Sequence, residues 1–596
     1  MKTRPALSHW LCALVLSCLA VHSGASSPPG GDAPPNILII LVDDAGLMDF
    51  EPFGGEAHMP TITRLADEGM RFTGYRTSPL CAPSRAMLLT GIDNHRTGVA
   101  TIPEILPAAH ADAPGYSMSL EPGVRTLADR LLQAGYRTYM TGKWHLGDSA
   151  ESLPPAHGFE RSFALSASGA DNWEQRPYMA YYDTAPWFED GEPATLPEDF
   201  YSSAFLVDRM LAYLQADQSD PRRRDKPFLA YIAFQAIHIP VQAPREFTQR
   251  YVGRFDEGWQ VLRRARWQRA QQLGLIPPGA PLAQMPAGSR EWASLADSER
   301  EYYAKAMAVN AGMLEAMDFH IGRLLEHLEA SGELDNTLVV VTSDNGPEHN
   351  DVLQTPGAGL WKALSGYHDD VETMGEKGSL VSIGPEWAAA AAAPGRQFKF
   401  YTSSGGIRVP LILRGPGIRP GTTTAALSLV TDITPTLLDY AGVAVQSGPR
   451  DVAITGRTLR PLISAEAAHV YAADEAVGME VGGNAALFKG GYKLVRNLPP
   501  HGDGEWHLYH VAIDPGETAD LANREPARLA AMLADYQRYA QRHGVLEMPE
   551  GFNWQRQLLL NTLSHMLANN TGKLVLGLGL LLLLGALLVR LRRRAA

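Results

Sequence analysis

The sequence predicts an α/β fold, a mostly parallel sheet flanked by helices, followed by a smaller antiparallel sheet that carries a helix. Three observations predict it. Four short strand-like runs each end in polar or charged residues. Helical patterns lie between them, such as Val124 to Leu132 and Tyr303 to Leu328. From about residue 465 the texture changes to short strands and tight turns.

Asn36 to Val42 reads as a fully buried parallel strand, because its apolar run does not alternate, and it ends in Asp43-Asp44. Tyr136 to Met140 leads into Thr141-Gly142-Lys143-Trp144-His145. Phe228 to Phe234 leads into Gln235-Ala236-Ile237-His238. Thr337 to Thr342 leads into Ser343-Asp344-Asn345-Gly346. Open parallel sheets bind ligands outside the carboxyl ends of their strands, so these four ends mark the candidate site. Ala388 to Ala393 is the one low-complexity run and reads as helix. In the C-terminal part, Asn484 to Lys489, Tyr492 to Val495 and Glu505 to Tyr509 read as strands, and Pro526 to Arg542 as a helix.

The ends carry a different signal. Lys2 and Arg4, an apolar run from Trp10 to Val21, and small residues through Ser26 describe a secretory signal peptide over 1–26. An uncleaved anchor is the alternative, disfavoured by the shortness of the run. A linker over 27–35, a catalytic domain over 36–464 and a small α+β subdomain over 465–548 are expected to follow. Leu574 to Val589 is a second apolar run, bounded by Lys573 and by Arg590, Arg592, Arg593 and Arg594. It reads as a transmembrane helix over 574–591 with a basic cytoplasmic tail over 592–596, reached through a connector over 549–573. A processed sorting tail is the other reading. Residues 555–570 read as an amphipathic stretch lying near the membrane surface. The expected product is exported, periplasmic or extracytoplasmic, and tethered by its C-terminal helix.

A hydrophobic share of 45% supports a large core. The formal charge of −13 excludes nucleic acid as a partner, since no domain-sized basic surface is visible. It does not exclude an anionic substrate, because the local charge of a site governs that.

Without the signal peptide and its Cys12 and Cys18, Cys81 is the one cysteine left. Exported proteins use cysteines in pairs, so a lone one is either an inert buried residue or chemistry. Pro83 suits the first position of a helix that Ser84 to Leu89 continue. Cys81 then sits at a helix N-terminus, whose free donors and positive dipole favour an oxyanion and lower a thiol's pKa. Asp43, Asp44, Asp344 and Asn345 offer only oxygen, which selects Ca2+ or Mg2+ over zinc. Three carboxylates need a cation to be stable together. Lys143, His145, His238 and Lys399, taken singly, are as easily structural or solvated.

The run Cys81-Ala82-Pro83-Ser84-Arg85, followed by Leu89-Thr90-Gly91, resembles the signature of the type I sulfatases of the alkaline phosphatase superfamily. The resemblance spans roughly residues 35 to 530, with its pieces in family order. They are the Asp43-Asp44 segment, Thr141 to Gly147, His238 with Pro240, Gln242 and Pro244, Ser343 to Gly346, Gly405 to Pro410, and Leu508-Tyr509 with Asp514 to Asp520.

The resemblance implies an alkaline-phosphatase-like fold and hydrolysis of small, arylsulfatase-like sulfate esters. It implies that a maturation enzyme oxidises Cys81 to formylglycine, whose hydrate attacks sulfur. Ca2+, with Mg2+ second, would be held by Asp43, Asp44, Cys81, Asp344 and Asn345. Arg85 would orient the nucleophile, and Lys143 and Lys399 would hold the sulfate oxygens. His238 would serve the leaving alcohol and His145 would remove the proton that frees sulfate. One departure stands out: many relatives carry Glu before Gly-Gly-Ile-Arg, and this chain has Ser404. Segments 259–292 and 352–377 look like insertions that shape the substrate mouth, and their tryptophans either stack on a substrate or pack. A phosphonate or phosphodiester hydrolase of the same superfamily and a non-catalytic binder of sulfated ligands are the competing readings.

Overall fold

The structure, a computed structural model, describes residues 33–355, 357–445 and 448–568. The signal peptide, nearly all of the linker, the transmembrane helix and the basic tail lie outside these residues. Among the described residues no helix is long and apolar enough to cross a membrane.

Among the described residues ten strands form the main sheet, and its centre, six of them, holds the four whose ends build the site. The six are β1 (Asn36–Val42), β2 (Arg137–Lys143), β3 (Arg161–Leu165), β4 (Phe228–Ala233), β5 (Thr337–Ser343) and β6 (Leu411–Arg414). They lie side by side in the order β6-β5-β1-β4-β2-β3. The first five are parallel, and β6 runs antiparallel to β5. Every residue of β1, β2, β4 and β5 is buried, as expected of strands covered on both faces. Met70–Phe72 and Thr422–Thr424 extend one edge of the sheet, and Trp187–Glu189 and Glu192–Pro193 the other.

The register brings the four polar strand ends to one level. Val42 lies opposite Ser343, Leu41 opposite Ala233, and Ala233 opposite Gly142. The strand expected to stop at Met140 runs on to Lys143. Gly142 explains the difference: its φ is +108°, and a Cβ there would lie 1.9 Å from the carbonyl oxygen of Ala233. Only glycine lets the two backbones approach this closely, so the ladder continues through it. The helix expected to open at Pro83 opens at Cys81. Proline fits at the third position because the amides of the first turn have no partner within the helix.

Helix Ser202–Gln218 packs on β2, and on the 34-residue helix Asp297–Ala330. The tryptophans of segment 259–292 pack rather than face a substrate. Trp259 and Trp292 interlock edge to face with Trp387 in the core, and Trp267 donates to the carbonyl of Ala280. Segment 352–377 does approach the site: Tyr367 packs in a small cluster with Tyr178 and Ile239, and Tyr178 stands edge-on to His238.

The smaller sheet is antiparallel, with Val477–Val481, Asn484–Lys489, Tyr492–Arg496 and Trp506–Tyr509 in chain order. Helix Pro526–His543 covers one face, with Met532 and Tyr536 on Ala485, Leu487, Leu494 and Leu508. Ile407 and Leu429 from the larger body pack with Met479, Ala486 and Phe488. A final helix, 554–568, turns Trp554 and Leu558 inward and leaves Leu559, Leu560 and Leu563 exposed.

Candidate active site

Asp43 and Asp44 leave the end of β1, and Asp344 and Asn345 leave the end of the neighbouring β5. The two pairs touch: the Asp44 amide donates to Asp344 Oδ1 at 3.2 Å, and Asn345 Nδ2 to Asp44 Oδ1 at 2.6 Å. Asp44 holds this position with a φ of +65°, strained for a non-glycine residue. Three side-chain cations surround the acids. Arg85 Nε and one of its terminal nitrogens bind Asp344 Oδ2 at 3.0 and 2.7 Å. Lys143 Nζ donates to Asp43 Oδ2 at 2.6 Å. Lys399 Nζ donates to Asp44 Oδ2 at 2.9 Å and to Glu348 Oε2 at 2.8 Å.

Burial dominates the protonation behaviour here. It raises the pKa of Asp44, an effect that Lys399 opposes and that Asp43, Glu348 and Asp344 reinforce. It raises that of Asp344 as well, with the Asp43 charge adding to it. Burial works against charge on Arg85, Lys143 and Lys399, but their acidic partners outweigh it and hold all three protonated. A cluster of carboxyl groups pushed up by burial and by one another is one that positive charge would stabilise.

The donor set fits a hard cation. Asp43 Oδ1 and Asn345 Oδ1 are buried and have no hydrogen-bond partner among the described residues. His238 is also near, with Nε2 at 3.7 Å from Asp44 Oδ2, and Asp43, Asp44 and His238 offer ligand atoms all within 4.8 Å of one another. The oxygens of Asp43, Asp44, Asp344 and Asn345 form the better set for Ca2+. Among the described residues, the hydrogen-bond contact of Cys81 Sγ is to His145 Nδ1, at 3.4 Å.

Cys81 is the first residue of helix Cys81–Thr90, all ten of whose residues are buried. The expected lowering of its pKa is wrong: burial pushes the thiol up to about 11, and Lys143 and Lys399 only partly oppose this. The free thiol is therefore protonated at neutral pH, a poor state for a thiol hydrolase. His145 faces it from just beyond β2, also at positive φ (+57°). Burial, then the charges of Lys143 and Arg85, keep His145 neutral. Burial and Lys399 do the same for His238, whose Nδ1 lies 2.6 Å from the carbonyl oxygen of Ile239. That contact makes Nδ1 the protonated nitrogen and turns Nε2 toward the site.

Sequence reasoning missed three acids. Glu348 holds Lys399, and its nearness in sequence to Asp344 is the one available hint. Glu104 Oε1 lies 3.8 Å from His145 Nε2 and accepts from the Tyr182 hydroxyl at 2.6 Å. Glu517 accounts for the departure at Ser404. Its Oε1 accepts from the Ser404 amide at 2.9 Å, the Ser404 hydroxyl at 2.7 Å and Lys493 Nζ at 2.6 Å. The glycines after Ser404 have a separate role. The Gly346 amide donates to Gly406 O at 2.9 Å, and a Cβ on Gly346 would lie 1.9 Å from Gly405 O. This close crossing locks the end of β5 against the segment that carries Lys399.

Comparison with known proteins gives the family and supports the fold. The sulfatase family model matches residues 35–443. A sulfatase of Schizosaccharomyces pombe is 35% identical over 553 residues, covering 89% of this chain and 98% of that protein. An arylsulfatase of Klebsiella aerogenes is 36% identical over 420 residues, covering 69% and 87%. The crystal structure of Ps i-CgsB in complex with k-i-k-neocarrahexaose superposes with a TM-score of 0.61 at 20% identity, covering 88% and 97%, which speaks for the fold. The chain belongs to the sulfatase family and is a hydrolase of sulfate esters.

Proposed function

We propose that this chain is an arylsulfatase-like enzyme whose nucleophile is an oxidised Cys81 beside a Ca2+ held by Asp43, Asp44, Asp344 and Asn345. One observation carries the reading: Cys81 is buried at a helix start, against His145 and within the field of Lys143 and Lys399, next to oxygen donors that lack partners. The similarity to the Klebsiella arylsulfatase supports the aryl preference.

When bound, the cation would supply Lewis-acid polarisation at the reacting centre. When oxidised, the Cys81 side chain would supply an aldehyde whose hydrate is an oxygen nucleophile. The remaining work falls to the chain. Lys143 and Lys399 hold the sulfate oxygens as charge develops on them, from buried positions. Arg85 fixes Asp344 and, through its bond to the Lys143 carbonyl at 2.7 Å, the end of β2. His238, neutral with its proton on Nδ1, turns the acceptor Nε2 toward the leaving oxygen and must first take up a proton there before it can pass one on. His145 Nδ1 is close enough to position 81 to take a proton from it, and Glu104 stabilises the charge that His145 then gains. Export and tethering through 574–591 are part of the same proposal, supported by the order of basic, apolar and small residues at the two ends.

The test is the mass of the Cys81 peptide from protein made in its native host, together with turnover of paired aryl sulfate and aryl phosphonate esters. The expected result is an aldehyde at position 81, faster sulfate turnover, and no turnover by Cys81→Ala. An unmodified thiol in an active protein, or turnover by Cys81→Ala, would refute the assignment of the nucleophile.

A further inference from the structure

Helix 554–568 is apolar on the wrong side for a helix that only packs. Trp554, Leu558, Asn561 and His565 recur at helical spacing and face the protein. Trp554 stacks on Phe400 at 4.4 Å, Leu558 packs on the core, and His565 stacks on Tyr181 at 5.1 Å. Leu559, Leu560 and Leu563 lie on the opposite arc and are 58%, 49% and 48% exposed, and Met566 and Leu567 continue that arc. Helices of a globular body turn such a stripe toward the core. Here solvent meets a row of large apolar side chains, and such rows mark interaction surfaces.

The inward face touches the site itself. The Asn561 amide donates to the carbonyls of Glu104 and Leu106 at 3.0 Å each. Glu104 reaches His145, and His145 reaches Cys81. At the other end, Trp554 lies on Phe400, the neighbour of Lys399. The helix therefore packs against the segment that carries Lys399 and against the segment whose Glu104 reaches His145.

We propose that this arc rests on a lipid bilayer, and that the substrates are sulfate esters of amphiphilic alcohols embedded in that bilayer. Two features select a bilayer as the occupant. No acid occurs between Gly551 and Ala568, and Arg556 shares the leucine arc, so the surface is apolar with positive charge, as lipid interfaces require. The apolar run that begins at Leu574 follows Ala568 by six residues, which span at most roughly 20 Å. A chain that enters a bilayer at Leu574 keeps the helix within that distance of the interface. The alcohol can then stay in the lipid while its sulfate reaches the strand ends. This rests on the sulfatase reading above and deepens it.

The experiment uses full-length protein carrying oxidised Cys81 and two probes: a soluble aryl sulfate, and a long-chain alkyl sulfate in phosphatidylcholine vesicles. Two triple variants are compared with wild type: Leu559→Gln/Leu560→Gln/Leu563→Gln, and the same positions changed to Met. The Gln variant should keep kcat/KM on the soluble ester within about twofold, the range of exposed substitutions. On the vesicle ester it should lose about tenfold or more, equivalent to 1.4 kcal/mol per decade. The Met variant, which keeps the apolar arc, should match wild type on both. Equal loss on both esters, or undiminished vesicle turnover by the Gln variant, overturns the proposal. Wild type inactive on both esters overturns the sulfatase mechanism with it. Failure of the helix proposal alone leaves soluble turnover intact.

Discussion

Glu517→Gln is the most incisive single change outside the catalytic groups. Glu517 and Lys493 are fully buried side chains 2.6 Å apart, and Lys493 also donates to the Thr402 carbonyl at 2.5 Å. Gln keeps an acceptor for the two Ser404 donors but removes the counter-charge of a buried ammonium. Breaking such a pair from one side costs about 3–5 kcal/mol, a large part of a typical stability of roughly 5–15 kcal/mol. Lys493→Met should cost a similar amount, because it strands the carboxylate. The double variant Lys493→Met/Glu517→Gln removes both charges and keeps the Ser404 bonds. It loses mainly the bond to Thr402, worth about 1 kcal/mol. The double variant should therefore be more stable than either single one. Urea unfolding followed by tryptophan fluorescence gives midpoints and slopes for all four proteins. Activity on a soluble aryl sulfate should follow the same order, because Thr402 and Ser404 lie on the short segment that carries Lys399. Losses in the double variant equal to the sum of the two single losses would refute the reasoning, since uncoupled sites add.

Two further outcomes are expected. Asp344→Ala should lose both bound Ca2+, measured by elemental analysis of the purified protein, and turnover. Retained Ca2+ would remove Asp344 from the ligand set. The second outcome concerns the joint with the smaller sheet, where buried His95 lies between Glu480 at 2.6 Å and Asp93 at 3.3 Å. Burial opposes the charge on His95, but the hydrogen bonds to Asp93 and Glu480 outweigh it and raise its pKa to about 9. A folded pKa above the unfolded value of about 6.5 gives stability that is fully present below that value and lost as pH rises through about 9. The thermal midpoint should fall between pH 7 and pH 9.5, by the equivalent of up to about 3 kcal/mol. His95→Gln should flatten that fall, and an unchanged slope would exclude the histidine.

The sequence makes the centre of the sheet legible because its strands are unbroken apolar runs and the oxygen-bearing residues of the site follow two of them within two residues. Asp43, Asp44, Asp344 and Asn345 needed no tertiary information. Lys399 was readable only through its motif, since nothing local distinguishes it from a surface lysine. Its partner Glu348 was not readable, because the pairing spans 51 residues. Glu517 was harder still, 113 residues from Ser404, so the missing acid in the Gly-Gly-Ile-Arg motif looked like a loss. In the fold a carboxylate reaches that spot from another segment. The dipole argument at Cys81 failed for a different reason. It counted a favourable helix end but not the burial of all ten residues of that helix, and desolvation of a thiolate outweighs a partial charge. The start of that helix and the end of β2 were misplaced because both depend on backbone geometry, a first turn without amide partners and a positive φ at Gly142, rather than on hydrophobic pattern.

An acidic protein can still take an anionic substrate when charge is counted at the strand ends. Asp43, Asp44, Asp344 and Glu348 face Arg85, Lys143 and Lys399, while burial keeps His145 and His238 neutral. Counted with all four carboxylates ionised, as a bound cation would favour, the acids and the three cations leave one negative charge in a buried site, which repels any anion. With the proposed Ca2+ bound, the sign would reverse and leave one positive charge. A sulfate monoester carries one negative charge, so the complex closes at neutrality, the cheapest state to bury. A dianionic phosphate monoester would leave a residual negative charge in the same enclosure. The formal charge of −13 therefore describes the surface of the protein and not its reaction. On this reading the anion would be selected by the balance among seven side-chain charges, gathered by the sheet from segments far apart in the chain, and the proposed cation.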